Sequence, residues 1–173
     1  MVSVTTSLIE DHKIILQALQ VLSEISGVDL ASNDLEADRV CSIIEKLKSF
    51  IEDIHQGKEE AILFPWMISK GVPDRGGPIG AMMAEHIEAR GYLQSMIDAL
   101  EDGADQVSFL QFSRKYTTLM AEHIRKENEV LFPMAEQVFI QDELETMQKS
   151  FSDFDEQFNG IETGTDLKRL LVN

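Results

Sequence analysis

The chain carries one cysteine, Cys41. A single thiol cannot close an internal disulfide framework, and it cannot supply the thiolates of a structural zinc or iron–sulfur site. Basic residues are scarce: 15 Lys and Arg stand against 31 Asp and Glu, a formal net charge of −16. A surface of that sign repels phosphate backbones and anionic headgroups, so neither nucleic acid nor a membrane surface is expected as a partner. No run of about 18 apolar residues is present to span a bilayer. The chain does not open with a basic segment followed by an apolar run, as a secretory leader would. A cytoplasmic protein is the default expectation. Strand signals are also lacking. What remains, 43% hydrophobic and 27% charged residues, is ordinary for a globular protein. At 173 residues the chain can build a real core, as one domain or one domain with an extension.

Histidine is scarce as well, and its four positions carry the argument. Residues 55–65 read H-Q-G-K-E-E-A-I-L-F-P, and residues 123–133 read H-I-R-K-E-N-E-V-L-F-P. Both segments place Lys fourth, Glu fifth and Leu-Phe-Pro at the end. Side chains four apart lie on one face of an α-helix, roughly 6 Å from each other. Each segment is therefore a clamp of one nitrogen and one oxygen ligand, His55 with Glu59 and His123 with Glu127. The other two histidines sit in matching contexts one helix earlier, Glu-Asp-His12 and Ala-Glu-His86. The chain thus reads as a duplicated helical hairpin in which each copy donates His, His and Glu. A small difference in connection length between the copies costs little.

The apolar spacing predicts helices over residues 3–26, about 35–68, about 79–100 and about 107–138, with a shorter one over 142–158. Residues 28–34 read as a loop, and Gly27 as a helix stop. Residues 69–80, with four glycines and two prolines, form the turn between the halves. Gly57 and Pro65 predict a bend or an early end in the second helix. The expected fold is all-α: an up-down-up-down antiparallel four-helix bundle over residues 1–140, with a C-terminal appendage over 141–173 whose tail is polar and poorly ordered.

On this pattern His55 and Glu59 continue the apolar stripe of Ile51, Ile62, Leu63 and Trp66. His123 and Glu127 continue that of Leu119, Val130, Leu131 and Met134. Both glutamates then point into the core, where a lone carboxylate must be protonated, paired or bound to a cation. A single His on an apolar face is more often a hydrogen-bonded core residue than a ligand. Four such histidines with two buried glutamates, in duplicated context, are poorly explained that way. A dinuclear metal centre explains them together, with iron, zinc or manganese all suited to the donors. Glu60 and Glu129 are not shared between the copies and are expected in solvent or behind the ligands.

The pattern His … His-x-x-x-Glu … His … His-x-x-x-Glu, from His12 to Met134, resembles the hemerythrin-like (HHE cation-binding) family. The Leu-Phe-Pro after each clamp and the Gly-Gly-Pro-Ile-Gly before the third helix resemble its bacterial members. The resemblance implies a bundle around a non-haem di-iron centre, bridged by two carboxylates and an oxo or hydroxo group. It gives ligand roles to His12, His55, Glu59, His86, His123 and Glu127. His12 and His55 would serve one iron, His86 and His123 the other, with Glu59 and Glu127 bridging. It also implies O2, NO or peroxide as the small ligand. Oxygen-carrying members have a fifth histidine four residues after the third-helix His, and here that position is Arg90. With four protein ligands per iron, both irons keep room for an exogenous ligand, which favours redox chemistry, sensing or labile iron binding over reversible oxygen carriage. Arg90 is expected near the centre, either against a bound anion or paired with a carboxylate.

Two other classes compete. Ferritin-like carboxylate proteins carry Glu-x-x-His on two helices. Here Glu52-x-x-His55 fits once, but Met120 stands where the second Glu is needed. A metal-dependent structural or signalling module is also compatible with the residues. The sequence leaves the oligomeric state open.

Overall fold

The computed structural model describes residues 3–25, 34–101 and 105–172. All regular structure among them is helical. The expected loop at 28–34 and stop at Gly27 fall largely outside the described residues. Helices α1 (Thr6–Glu24), α2 (Asp34–Lys48), α5 (Pro78–Glu101) and α6 (Gln106–Lys126) pack together within a helical bundle. Helix α1 packs on α2 and α6, and α5 packs on the same two.

Helix α2 does not end at the first clamp. It continues through a π-helical segment, π1 (Ser49–His55), a single turn, α3 (Gln56–Lys58), a second wide segment, π2 (Glu59–Leu63), and then α4 (Phe64–Ser69). Helix α6 likewise continues through π3 (Glu127–Leu131) into α7 (Phe132–Val138). The shared Leu-Phe-Pro accounts for π2 and π3. Pro65 and Pro133 have no backbone N–H and crowd the carbonyl four residues back, so the α ladder cannot continue unchanged. The chain widens by one residue instead: the Phe64 N–H donates to the Glu59 carbonyl, and the Phe132 N–H to the Glu127 carbonyl. The sequence pattern predicts a bend or an end at Pro65, and the structure accommodates it as a π-turn. The extra residue also rotates the apolar stripe. Val130 was expected on the buried face but is half exposed, while Leu131 and Phe132 are buried. Leu16, also expected in a buried stripe, faces solvent in large part.

Beyond the second clamp, α8 (Gln141–Gln157) is followed by α9 (Gly160–Val172). The tail expected to be poorly ordered is therefore a helix, and its Leu167 is fully buried. Helix α9 packs on α1, α2 and π1, and α8 packs on π2. Close approach at glycine makes this possible. A Cβ on Gly164 would lie 2.8 Å from the Phe50 ring, and one on Gly57 would lie 2.8 Å from the ring of Phe154 in α8. Gly57 is thus the footprint of α8 on the first clamp.

Two apolar clusters make the core. One gathers Ile15, Leu19, Ile44, Ile51, Leu93, Phe109 and Tyr116; the other gathers Leu8, Leu63, Phe64, Met82, Leu131 and Phe132. On α1, Leu8 belongs to the second cluster and Ile15 to the first, with His12 between them. On α5, Met82 and Ala89 bracket His86 in the same way. The histidines form a polar layer between two apolar layers.

Candidate metal centre

All six residues singled out by the duplicated spacing lie in that layer, each at 1% exposure or less. They form two groups, His12, His55, Glu59 and Glu127, and Glu59, His86, His123 and Glu127. Within each group the donor atoms lie within 4.8 Å of one another. The two glutamates are common to both. The Nε2 atoms of His12 and His55 are 3.1 Å apart, and those of His86 and His123 are 3.2 Å apart. His12 Nε2 lies 3.0 Å from Glu127 Oε2, and His123 Nε2 lies 3.1 Å from Glu127 Oε1. Glu59 is looser, 3.7 Å from His55 Nε2 and 3.4 Å from His86 Nε2.

Every Nε2 faces inward, and every Nδ1 faces an oxygen. The Nδ1–H of His12 donates to Asn128 Oδ1 at 2.9 Å, and that of His86 to Glu60 Oε1 at 2.7 Å. The Nδ1–H of His123 donates to Glu85 Oε2 at 2.9 Å, and that of His55 reaches Asp11 Oδ2 at 3.4 Å. A carboxylate or amide oxygen can only accept, so in the neutral imidazoles these contacts place the proton on Nδ1 and leave the Nε2 lone pair for a metal. Ring packing fixes the planes: Phe132 stacks on His12 and Phe64 on His86. Each clamp therefore supplies its own His and Glu. It also buttresses the other half's lone histidine through the residue after its Glu and the Phe of its Leu-Phe-Pro.

Three of the four carboxylate oxygens, both of Glu59 and Oε1 of Glu127, are buried without a hydrogen-bond partner. Leaving a buried acceptor unpaired costs about 1–3 kcal/mol, and more when it is charged. Buried polar atoms without partners are rare enough that each needs a reason. Cations bound between the carboxylates would satisfy all three, and four imidazole nitrogens with two carboxylates are a donor set that fits iron, zinc or manganese.

The electrostatics agree with a cation site. Burial opposes the charge of His86, but contact with Glu59 and Glu60 outweighs it, and the imidazole is pushed up to about 9. His12 and His123 are raised in the same way, against burial, chiefly by Glu127. Glu127 is held well below the usual carboxylate range despite its burial, by His12 and His123. The negative charge of the cluster attracts protons where it could attract metal ions.

Outside this layer, Asp11 also accepts from Lys58 Nζ at 2.8 Å, and Lys58 pairs with Asp155 of α8 at 3.1 Å. In the second half Lys126 pairs with Glu85. Arg90 is not among the clustered donors; its Nη2 contacts Glu60 Oε1 at 2.6 Å, on the outer side of His86. Glu129 is on the surface, paired with Arg125, and Glu52 belongs to neither group. Sequence reasoning did not assign Asp11, Glu85, Asn128, Lys58 or Lys126. Signals for most of them were present: an acidic residue precedes each lone histidine, and Lys stands fourth in each clamp.

The helical fold and the buried imidazole–carboxylate cluster define a protein with a candidate two-ion metal centre. The family model of the hemerythrin HHE cation binding domain matches residues 3–135, and the chain belongs to that family. Comparison with curated proteins and with solved structures found no match. No helix among the described residues is long and apolar enough to cross a membrane.

Proposed function

We propose that the chain is a non-haem di-iron protein that binds a small oxidant or diatomic ligand, O2, NO or peroxide, at the metal centre. The observation that carries this reading is the convergence of four Nε2 atoms on two shared, buried carboxylates, three of whose four oxygens lack a hydrogen-bond partner among the described residues. His12 and His55 would hold one ion, His86 and His123 the other, with Glu59 and Glu127 shared. Two ferrous ions bound there would supply two electrons to such a ligand. The protein's own part is positional. Asp11, Asn128, Glu60 and Glu85 orient the imidazoles through their Nδ1 protons. The apolar layers above and below exclude water, which strengthens the interactions inside. The ligand-bearing stretches are read as an up-down-up-down antiparallel four-helix bundle. With Arg90 in place of a fifth histidine, four protein donors per ion leave room for the exogenous ligand, and a binding role in sensing, detoxification or iron handling is favoured over turnover. The expected setting is the cytoplasm.

The test is metal analysis of the purified protein with optical spectra of the reduced form before and after oxygen, NO or azide. Two iron equivalents and a charge-transfer band that changes on ligand addition are expected. One equivalent or none, or a spectrum indifferent to every ligand, refutes the reading. Purification with zinc or manganese alone would favour the metal-dependent structural module.

A further inference from the structure

The two histidine pairs are matched on the inside and unmatched on the outside. Behind His86 and His123 stand two carboxylates, Glu60 at 2.7 Å and Glu85 at 2.9 Å. Behind His12 stands the neutral amide of Asn128 at 2.9 Å, and behind His55 the carboxylate of Asp11 at 3.4 Å. Glu60 and Asn128 hold the same place in the two clamps, directly after the shared Glu. Every outer carboxylate is also shared with a cation, so the comparison turns on how well each cation is screened. Arg90 and Lys126 keep about a third of their side-chain surface in water, 33% and 35%. Solvent screens their charges. Lys58 is 2% exposed, so water does not screen its charge on Asp11, although Asp155 shares that charge at 3.1 Å. The longer Asp11–His55 contact fits a carboxylate drawn toward its lysine.

An imidazole whose Nδ1–H is held by a carboxylate is a more basic donor at Nε2 than one held by an amide, and outer partners of this kind change metal affinity by about 10–100-fold. We propose that the two metal positions of this chain are unequal. The position of His86 and His123 fills first and holds its ion more tightly, and the Glu60/Asn128 difference sets the order. Glu60 is a positioning residue: it acts on the ion only through His86. The inference rests on the two-ion reading above and adds to it an order of filling and the residues that set it.

The test loads protein freed of metal with Co(II), titrated to two equivalents against a competing chelator. A crystal grown at one equivalent is examined by anomalous scattering at the cobalt edge. The parent should bind in two steps about tenfold or more apart, with the first ion between His86 and His123. The isosteric exchanges Glu60→Gln and Asn128→Asp keep an oxygen at each Nδ1 and move only the charge. Glu60→Gln should weaken the tighter step about tenfold. Asn128→Asp should strengthen the weaker one. The double variant should place the first ion between His12 and His55. Equal occupancy of the two positions in the parent, or first filling at His12 and His55, overturns the proposal. A correct order that the double variant leaves in place overturns the assignment to Glu60 and Asn128. Binding of fewer than two equivalents defeats the two-ion reading itself, a result distinct from two equal sites.

Discussion

Lys58 and Lys126 hold the same place in the two clamps, one residue before the shared glutamate, and live in different environments. Lys58 is 2% exposed, roofed by α8, and sits between Asp11 and Asp155. Lys126 is 35% exposed and pairs with Glu85. Around them the clamps diverge step by step: Gln56 against Ile124, Gly57 against Arg125, Glu60 against Asn128. His and Glu themselves do not diverge in burial or in aim. Duplication has been kept where donors converge and released where each half meets its own neighbour, α8 and α9 for the first clamp and water for the second. The half that received a roof gained a buried ion triplet and a glycine; the half that did not kept a solvated arginine.

The largest effects should come from the residues the two halves share. Glu59→Ala and Glu127→Ala should each remove most of the bound metal, because each glutamate belongs to both donor groups. Glu129→Ala, on the surface, should leave metal content unchanged. Elemental analysis after dialysis decides this. Metal loss from Glu129→Ala as large as from Glu127→Ala would show that burial does not mark the ligands.

Next come the lysines. Lys58→Met leaves Asp11 and Asp155 facing each other without their cation, and breaking a buried ion pair typically costs about 3–5 kcal/mol. Lys126→Met breaks a part-exposed pair, worth under about 1 kcal/mol. Urea unfolding of the two variants should therefore differ by about 2 kcal/mol or more. Equal midpoints would mean that the α8 roof does not seal the first clamp in solution.

The inner layer was legible from sequence because residues four apart on a helix share a face: His then Glu at +4 cannot drift without losing the pair. The Leu-Phe-Pro was visible, with Pro65 read as a bend or an early end; that it sets a π-turn was not. Its effect depends on whether the Glu59 and Glu127 carbonyls find a donor five residues on, and α periodicity does not encode that. Val130 was misplaced for the same reason. The helix at 160–172 was missed because its sequence is polar and carries two glycines; Gly164 is there to let α9 approach Phe50, a reason that exists only once the partner surface is known. Asp11 and Glu85 were in view beside their histidines. Nothing in one sequence says that a neighbour along the chain reaches the clamp of the next helix.

Protons offer a smaller test, applied to both halves at once. In protein freed of metal, His12, His86 and His123 are raised above their ordinary 6.5, His86 to about 9. A group raised on folding stabilises fully below its unfolded value and loses that contribution as pH climbs through its folded value. Glu127, Asp11, Glu60 and Glu85 are lowered; their contribution is present above their ordinary values and lost as pH falls. Stability without metal should peak between about 4.5 and 6.5 and decline toward 9. Bound ions replace the protons on the imidazoles, so the loaded protein should lack the alkaline decline. The Tm difference between loaded and stripped protein should widen from pH 6 to pH 9; a constant difference would contradict the raised imidazoles.

The smallest expected effect lies one residue past the first clamp's histidine, His55. Gln56 is fully buried, and neither atom of its amide has a hydrogen-bond partner. The second clamp places Ile124 there, buried among apolar neighbours. A buried amide without partners costs about 1–3 kcal/mol, and Met has nearly the length and shape of Gln without the polar atoms. Gln56→Met should therefore stabilise the protein by about 1 kcal/mol, with metal content unchanged, and the urea midpoint should rise. A fall in the midpoint would mean that the amide is paired in solution, most simply by buried water. The first half would then hold a second polar feature that the other half lacks, next to the histidine whose outer carboxylate is drawn away. The asymmetry would begin at the ligands' own helix rather than at the roof above it.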